Sequence, residues 1–332
     1  MISCFRLNKN GQLEVLNTIN DAFQFIEKGK FVWIDFDKPN EEDLSCLIAK
    51  LNIHPLVIED CLDQQQIPKM DVFPDYNFFV FNHYVLEKDH LSIREVNFIF
   101  ARSFLISVHG RDHDKDDLVN KFKERISVIA LNGGKSSDFL LYALMDCIVD
   151  SKLPVIEKFE DDVEALELLI HEKPEKLQPQ TLLALRKNLN ELRKSLFNER
   201  EILTKICRAD SSIISEKNAV FYFKDIFDNL TRYFELVEKS RETVNNLFSL
   251  HLSARSNQIA MISLQMNEVM KRLTVITTIF MPLTFFSGVG GMSEFSMICG
   301  PENWKYSYPI FLLLMLVLAL IIYRILKKLK WS

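Results

Sequence analysis

The sequence predicts an α+β domain followed by a long helical stalk and two membrane-spanning helices, and three observations carry this prediction. The chain has 332 residues but only nine glycines, four of which fall between Gly288 and Gly300. Turns and left-handed backbone positions are the main users of glycine, so its scarcity elsewhere predicts a mostly helical chain. The C-terminal part contains two long apolar runs, and a repeating apolar pattern precedes the first of them.

The composition excludes several classes of function. Forty basic and 45 acidic residues give a net charge of −5, so the chain as a whole is not built to bind nucleic acid. Glycines are too sparse for a dinucleotide-binding or phosphate-binding loop, and the six cysteines include no CxxC pair. No nucleophile and base stand in a recognisable arrangement, so we expect neither an enzyme nor an organic cofactor.

The first 135 residues have a mixed pattern that predicts a cytoplasmic α/β domain. Compact apolar or alternating segments predict strands at 31–36, 77–86, 96–101 and 104–109, and helices are predicted at 41–51 and 54–62. The following region, 136–272, is predicted to be helical throughout. Its helices are expected at 137–171, at 179–207 and from about 217 onward, after a first helix at 118–129.

The last of these helices decides the architecture. It has no glycine before Gly288, and its first proline is Pro282. Apolar residues recur at intervals of three and four, the repeat of helices that pack side by side; they are Phe223, Ile226, Leu230, Phe234, Val237, Val244, Leu247, Ile259, Ile262, Met266, Val269 and Leu273. Seventy helical residues extend about 105 Å, so one helix is expected to run from the cytoplasm through the membrane.

Two uncharged segments, 273–289 and 306–323, have the length of membrane spans. Basic residues flank both on the same side, and the connecting loop 290–305 has few charges. By the positive-inside rule, both termini and the tail 324–332 are cytoplasmic, and the protein is a multi-pass plasma-membrane (inner-membrane) protein embedded in the lipid bilayer. The flanking basic residues either form a ring at the pore mouth or serve as ordinary membrane anchors. They are Lys271, Arg272, Lys327, Lys328 and Lys330.

One face of the first span has the character of a pore lining. Two spans per chain cannot enclose an aqueous path, so a pore requires several copies of the chain. The stripe that would face its axis consists of Asn267, Met270, Leu273, Thr277, Met281, Thr284 and Gly288. The threonines have an alternative role, in hydrogen bonding within or between helices. Neither span contains Asp, Glu, Lys or Arg, so such a path would suit an ion that keeps its water shell, and Mg²⁺ loses water most reluctantly.

Four segments resemble the CorA magnesium transporter family. They are MNEVMKRLTVITTIFMPLTFFSGVGGMSEF at 266–295, NIHPLVIEDCLDQQQIPK at 52–69, LLYALMDCIVDS at 140–151, and the tail KKLKWS. The resemblance covers essentially the whole chain. It implies a homopentameric funnel in which five long helices line the pore and the second spans surround them.

The family signature is Gly-Met-Asn after the first span, usually preceded by an aromatic residue. The matching positions here are Gly291, Met292 and Ser293, with Gly290 at the aromatic position. In the family, five asparagines, one from each subunit, form a ring whose side-chain carbonyls accept hydrogen bonds from the water of a hydrated ion. A serine hydroxyl can also accept. The resemblance implies a channel for hydrated divalent cations, Mg²⁺ first and Co²⁺ or Ni²⁺ next. Ser293 leaves two alternatives, a Zn²⁺ or other transition-metal transporter and a non-conducting scaffold or metal sensor.

The resemblance also implies regulatory Mg²⁺ sites between the α/β domain of one subunit and the stalk of the next. On the stalk, the matching segment FKDIFDN contains Asp225 and Asp228, which lie on one helical face. The proposed partners in the α/β domain are Glu87 and Asp89. A solvated acidic surface is the alternative for these residues.

Overall fold

A computed structural model describes residues 1–8, 12–63, 66–87, 90–110, 118–131, 136–172, 177–208, 219–292, 300 and 303–328. The chain forms two compact units, Met1–Ser249 and Leu250–Ser332. The strands are β1 (Ile2–Leu7), β2 (Leu13–Leu16), β3 (Val32–Asp37), β4 (Met70–Val72), β5 (Asn77–Glu87), β6 (His90–Phe100) and β7 (Phe104–His109). The helices are α1 (Ile19–Glu27), α2 (Glu41–Leu51), α3 (Pro55–Leu62), α4 (Leu118–Leu131), α5 (Ser137–Asp150), α6 (Leu153–Glu172), α7 (Pro179–Ile206), α8 (Ala219–Gly290) and α9 (Trp304–Lys328).

The strands form one seven-stranded sheet in the order β2-β1-β3-β7-β6-β5-β4. Only the central pair β3 and β7 is parallel among these neighbours; the other pairs are antiparallel. Residues alternate between its two faces, so each face has its own core. One contains Ile34, Phe36 and side chains of α1 to α3, and the other contains Trp33, Phe98 and side chains of α4 to α8. All four predicted strands are confirmed, with β6 starting earlier than expected.

Short helices on the first face begin at residues that cap them. Thr18 and Asp21 form a reciprocal capping box at α1, and Asn40 and Asp43 form another at α2. Each box satisfies backbone N–H groups that a helix start leaves without partners. Asn52 ends α2 in the left-handed conformation, with a φ of 53°, which asparagine tolerates better than most residues.

The single long helix expected at 137–171 is wrong, because the structure divides it into α5 and α6. The break falls at Ser151 and Lys152, just before Pro154. Proline has no N–H, and its ring collides with the carbonyl four residues earlier, here that of Asp150. Ser151 closes α5 by donating from its hydroxyl to the carbonyl of Ile148 at 2.6 Å. Pro154 then occupies the first turn of α6, where proline is favourable.

The stalk helix α8 is continuous over 72 residues, as expected. Its apolar repeat has two parts with different environments. From Phe223 to Leu247, most of the repeat is buried in the core of the first unit. From Ile259 onward the repeat is exposed, with exposed fractions of 68% for Ile259, 64% for Val269 and 53% for Leu273. The second part is therefore a continuous apolar surface.

A fully buried ion pair joins the sheet to the helices. Lys152 Nζ donates to Glu199 Oε1 at 2.7 Å, and both side chains are completely buried. Lys152 also donates to the carbonyl of Asn82 in β5, while the Asn82 N–H donates to Glu199 Oε1 at 2.9 Å. Burial lowers the pKa of Lys152 and raises the pKa of Glu199, and their mutual attraction opposes both shifts. The pair therefore fixes the α5–α6 break, α7 and β5 relative to one another.

Breaking this pair from one side should destabilise the protein. Glu199→Leu leaves Lys152 buried without a counter-charge, which costs about 3–5 kcal/mol. We expect the unfolding midpoint of the detergent-solubilised full chain to fall by about 10 °C. The double variant Lys152→Met/Glu199→Leu should recover most of this loss, because it removes both charges.

A matched control exists on the same helix. Glu191 faces Lys187 at 3.8 Å in an exposed pair, so Glu191→Leu should change stability by less than about 1 kcal/mol. Equal unfolding midpoints for Glu199→Leu and Glu191→Leu would show that the buried pair has no such role.

Candidate functional site

An open groove runs along the C-terminal part of α8. It has a volume of about 660 Å³ and is lined by Thr277, Phe280, Met281, Thr284, Phe285, Gly288, Val289 and Met292. Four of the seven predicted pore-lining residues are among them: Thr277, Met281, Thr284 and Gly288. The structure thus brings these four together with Met292 of the predicted signature on one surface. Asn267, Met270 and Leu273 lie nearer the N-terminus of the same helix and are exposed.

The threonine hydroxyls in this region are bonded to their own helix. Thr277 Oγ1 donates to the carbonyl of Leu273 at 3.0 Å, and Thr284 Oγ1 donates to that of Phe280 at 2.9 Å. The hydroxyl proton is thereby used within the helix, while the oxygen keeps lone pairs that can accept. The expected bonding within the helix and a surface of hydrogen-bond acceptors are therefore compatible. Such a surface suits the outward-pointing protons of a hydrated cation.

The signature begins where α8 ends. Gly290 is the last residue of the helix, Gly291 N–H donates to the Ser287 carbonyl at 3.0 Å, and Met292 N–H donates to the Val289 carbonyl at 3.2 Å. These bonds continue the helical turn as far as Met292, whose side chain is exposed. Ser293 lies outside the described residues. The glycine cluster thus ends the helix, as expected.

In the first unit, Asp225 lies near two aspartates of α5 that sequence reasoning missed. Burial raises the pKa of Asp146 to about 6; hydrogen bonds from Arg125 oppose this, and the charges of Asp150 and Asp225 add to it. Arg125 Nε donates to Asp146 Oδ2 at 2.6 Å, and its Nη2 donates to Asp150 Oδ2 at 3.0 Å. Arg125 therefore pairs with two carboxylates, and the charge of Asp225 acts on both of them. The spacing of four between Asp146 and Asp150 places them on one helical face and is the signal that could have found them.

The structure does not bring the other predicted regulatory residues that it describes, Asp228 and Glu87, into the group formed by Asp225 and the two aspartates of α5. Asp228 lies near Cys207. Burial of the Cys207 thiol raises its pKa, and the negative charge of Asp228 adds to this rise. Glu87 is the last residue of β5, and Asp89 lies outside the described residues. Within the described ranges of one chain, no three His, Cys, Asp or Glu side chains converge closely enough to hold a metal ion.

The predicted basic residues are on exposed surface where they are described. Lys271 and Arg272 precede the groove on α8, and Arg272 pairs with Glu268 at 2.5 Å, one turn earlier. Lys327 and Lys328 end α9, whereas Lys330 lies outside the described residues.

Two helices are long and apolar enough to cross a membrane, Ala219–Gly290 and Lys305–Lys328. Their most apolar windows are 0% and 6% buried. A soluble core helix would bury such a window, so this exposure agrees with lipid or subunit contacts.

A family model described as the CorA-like Mg²⁺ transporter protein matches residues 28–328. The chain belongs to this family. It is 35% identical over 321 residues to the cobalt/magnesium transport protein CorA of Thermotoga maritima, covering 94% of this chain and 87% of that protein. It is 32% identical over 291 residues to the putative metal ion transporter YfjQ of Bacillus subtilis, covering 87% and 86%.

The fold agrees with this family assignment. The complete structure of the CorA magnesium transporter of Methanocaldococcus jannaschii matches with a TM-score of 0.68 at 22% identity, covering 100% of this chain and 99% of that one. The predicted α+β domain, long helix and C-terminal apolar helix are thereby confirmed. Family members are channels or transporters of divalent cations, with Mg²⁺ as the transported ion, and are not enzymes.

Proposed function

We propose that the chain forms a homopentameric channel that passes hydrated divalent cations, chiefly Mg²⁺, across the plasma membrane. The observation that carries the proposal is the groove on α8, where threonine oxygens recur along an otherwise apolar helix. No Asp, Glu, Lys or Arg lies between Leu273 and Ser293. The path therefore contains no fixed charge that would strip water from Mg²⁺ or trap the ion.

The oligomer follows from the openness of the groove. One chain leaves it unclosed, and water or an ion in it would meet lipid on one side. Further copies of α8 would close it, and the exposed repeat from Ile259 to Leu273 offers the surface through which they would pack. Five copies is the number that the family resemblance implies.

We propose that the ion enters at the extracytoplasmic side, past Gly291, Met292 and Ser293, and continues along Gly288, Thr284, Met281 and Thr277 to Leu273, Met270 and Asn267. Flux follows the electrochemical gradient, because no nucleotide-binding loop is present to couple transport to ATP. Both termini are cytoplasmic in this proposal. Lys271, Arg272, Lys327, Lys328 and Lys330 then flank the cytoplasmic membrane surface.

Ser293 supports a second candidate, a transporter for Zn²⁺, Co²⁺ or Ni²⁺, because its hydroxyl is shorter than an asparagine side chain and both donates and accepts. A non-conducting scaffold or metal sensor is the third candidate, for the same reason. Transport assays separate the three.

We propose further that cytoplasmic Mg²⁺ regulates the channel through Asp225. Asp146 and Asp150 share one partner, Arg125, and the negative charge of Asp225 acts on both of these aspartates. Because one chain lacks a complete set of metal ligands among its described residues, the remaining ligands would come from a neighbouring subunit. Asp228, Glu87 and Asp89 stay candidates for this role. A bound ion would then bridge two subunits and favour the closed arrangement.

The channel proposal is tested by reconstituting the purified oligomer in proteoliposomes. We expect Mg²⁺ influx without ATP, blocked by cobalt hexammine, which mimics hydrated Mg²⁺. Influx of Zn²⁺ or Ni²⁺ in preference to Mg²⁺ would favour the second candidate. If a well-assembled oligomer passes no divalent ion at all, both transport proposals are wrong.

Restoring asparagine at the signature tests whether position 293 sets selectivity. Ser293→Asn should raise the ratio of Mg²⁺ to Ni²⁺ influx by about tenfold, the effect of one hydrogen bond to a charged species. Ser293→Ala, which removes the acceptor, should lower the ratio. Equal ratios in all three proteins would place the selectivity elsewhere.

Removing the charge at Asp225 tests the regulatory site. Asp225→Asn should raise the internal Mg²⁺ concentration for half-inhibition by about tenfold, a usual size for coupling between two sites. Glu235→Gln is the matched control, because Glu235 is an exposed acid on the same helix and is not a candidate ligand. Unaltered inhibition in Asp225→Asn, or equal effects of the two substitutions, would mean that the stalk assignment is wrong.

A further inference from the structure

The last residue of α8 is in unusually close contact with α9. A Cβ atom built on Gly290 would lie 2.8 Å from Cζ of Phe311 and 3.0 Å from its Cε2. Carbon atoms pack best at about 3.5–4.0 Å, so only glycine at position 290 allows the ring this position. The phenyl ring thus rests directly on the backbone of α8.

This contact distinguishes Gly290 from its neighbours. A Cβ on Gly288 would meet no atom within 4 Å, and the nearest atom to one on Gly291 is a carbonyl of its own helix, that of Ser287, at 3.3 Å. Of Gly288, Gly290 and Gly291, only Gly290 is a position where a side chain would collide with another helix. The cluster therefore contains one glycine with a specific packing role.

The ring approaches α8 from the side opposite the groove. Residues two apart on a helix are separated by about 200° around its axis. Gly288 lines the groove, so Gly290 faces nearly the opposite way. Phe311 therefore supports α8 from behind the surface that would face the ion.

The contact between Phe311 and Gly290 lies next to the residues that are proposed to select the ion. Gly290 directly precedes Gly291 and Met292, whose N–H groups complete the last helical turn by bonding to Ser287 and Val289. The Gly-Met-Asn signature of the family is usually preceded by an aromatic residue, at the position that Gly290 occupies here. Here the aromatic ring at this point comes from α9 instead, and the glycine makes room for it.

We propose that Phe311 is a positioning residue for the ion-selecting segment, a role that rests on the proposed channel function. Its ring sets where the end of α8 lies, and so sets the backbone of Gly291 and Met292 at the mouth of the path. It does not touch the ion. The proposal predicts that Phe311 affects which ion is selected, whereas simple helix packing would affect only assembly and stability.

The test compares three variants of the full chain. Phe311→Ala removes the ring, and Gly290→Phe/Phe311→Ala supplies a ring to the same space from the other helix. Leu313→Ala is the matched control, because Leu313 is on the same helix and 66% exposed. Size-exclusion chromatography establishes that each variant assembles as the unsubstituted protein does.

Two readouts are measured on each assembled protein: the ratio of Mg²⁺ to Ni²⁺ influx, and the affinity for cobalt hexammine in detergent by calorimetry, which needs no conduction. Phe311→Ala should lower both by about tenfold, as expected when a binding segment is displaced by a fraction of an ångström. The double variant should recover most of the loss, and Leu313→Ala should match the unsubstituted protein. Unchanged values for Phe311→Ala, or equal losses for Leu313→Ala, would overturn the proposal.

Two further outcomes are decisive. If Phe311→Ala fails to assemble, Gly290→Ala replaces it, because a methyl group there must displace the ring; an unaltered ratio and affinity would again overturn the proposal. If the unsubstituted oligomer neither conducts nor binds cobalt hexammine, the proposed function itself fails, and no ion-selecting segment is left for Phe311 to position. That failure is seen without any substitution, so the two failures are distinguishable.

Discussion

A segment that crosses a membrane must satisfy its backbone hydrogen bonds internally, because hydrocarbon offers no partners for them. The architecture of this chain depends on that constraint. Helix α8 is continuous over 72 residues, but Pro282 inside it has no N–H and cannot donate to the carbonyl of Thr278. At the end of the helix, the carbonyls of Ser287 and Val289 accept from the N–H groups of Gly291 and Met292. A continuous helix also has a fixed rotation between its residues. The predicted stripe from Thr277 to Gly288 therefore shares one face of the helix.

Two groups of charged side chains in the first unit differ in how their charges are paired. Lys152 and Glu199 are buried completely because each neutralises the other and the backbone of β5 supplies further bonds. The aspartates of α5 are different, since the single Arg125 side chain pairs with both Asp146 and Asp150. The first arrangement matches one cation with one anion, whereas in the second two carboxylates share one guanidinium group and Asp225 adds its charge. The proposed regulatory site rests on this second arrangement.

Much of the fold was predictable because it is local. The absence of glycine and proline before Pro282 is sufficient to predict α8, and alternating apolar residues are sufficient for β5 and β7. The break between α5 and α6 differs from the prediction because Pro154 interrupts an apolar pattern that otherwise continues across it; this effect too is local. The hairpin of β1 and β2 is not among the predicted elements, since short strands with exposed residues have a weak pattern.

The candidate site was predictable only where residues share one helix face. The stripe from Thr277 to Gly288 follows from helical periodicity, and the groove contains its members. The grouping of Arg125, Asp146 and Asp225 joins three helices, and the contact of Phe311 with Gly290 joins two. No spacing rule connects residues that far apart in sequence, so these contacts required the three-dimensional structure.

The hydrogen bonds of the threonine hydroxyls have a consequence for ions of the opposite sign. Because Thr277 and Thr284 donate their protons to carbonyls of their own helix, they present only lone pairs to the proposed path. A chloride ion, or the water oxygens that an anion turns outward, would find no donor there. Along this stretch of the path, the direction of the hydroxyl groups would thus disfavour anions without any negative charge within the membrane.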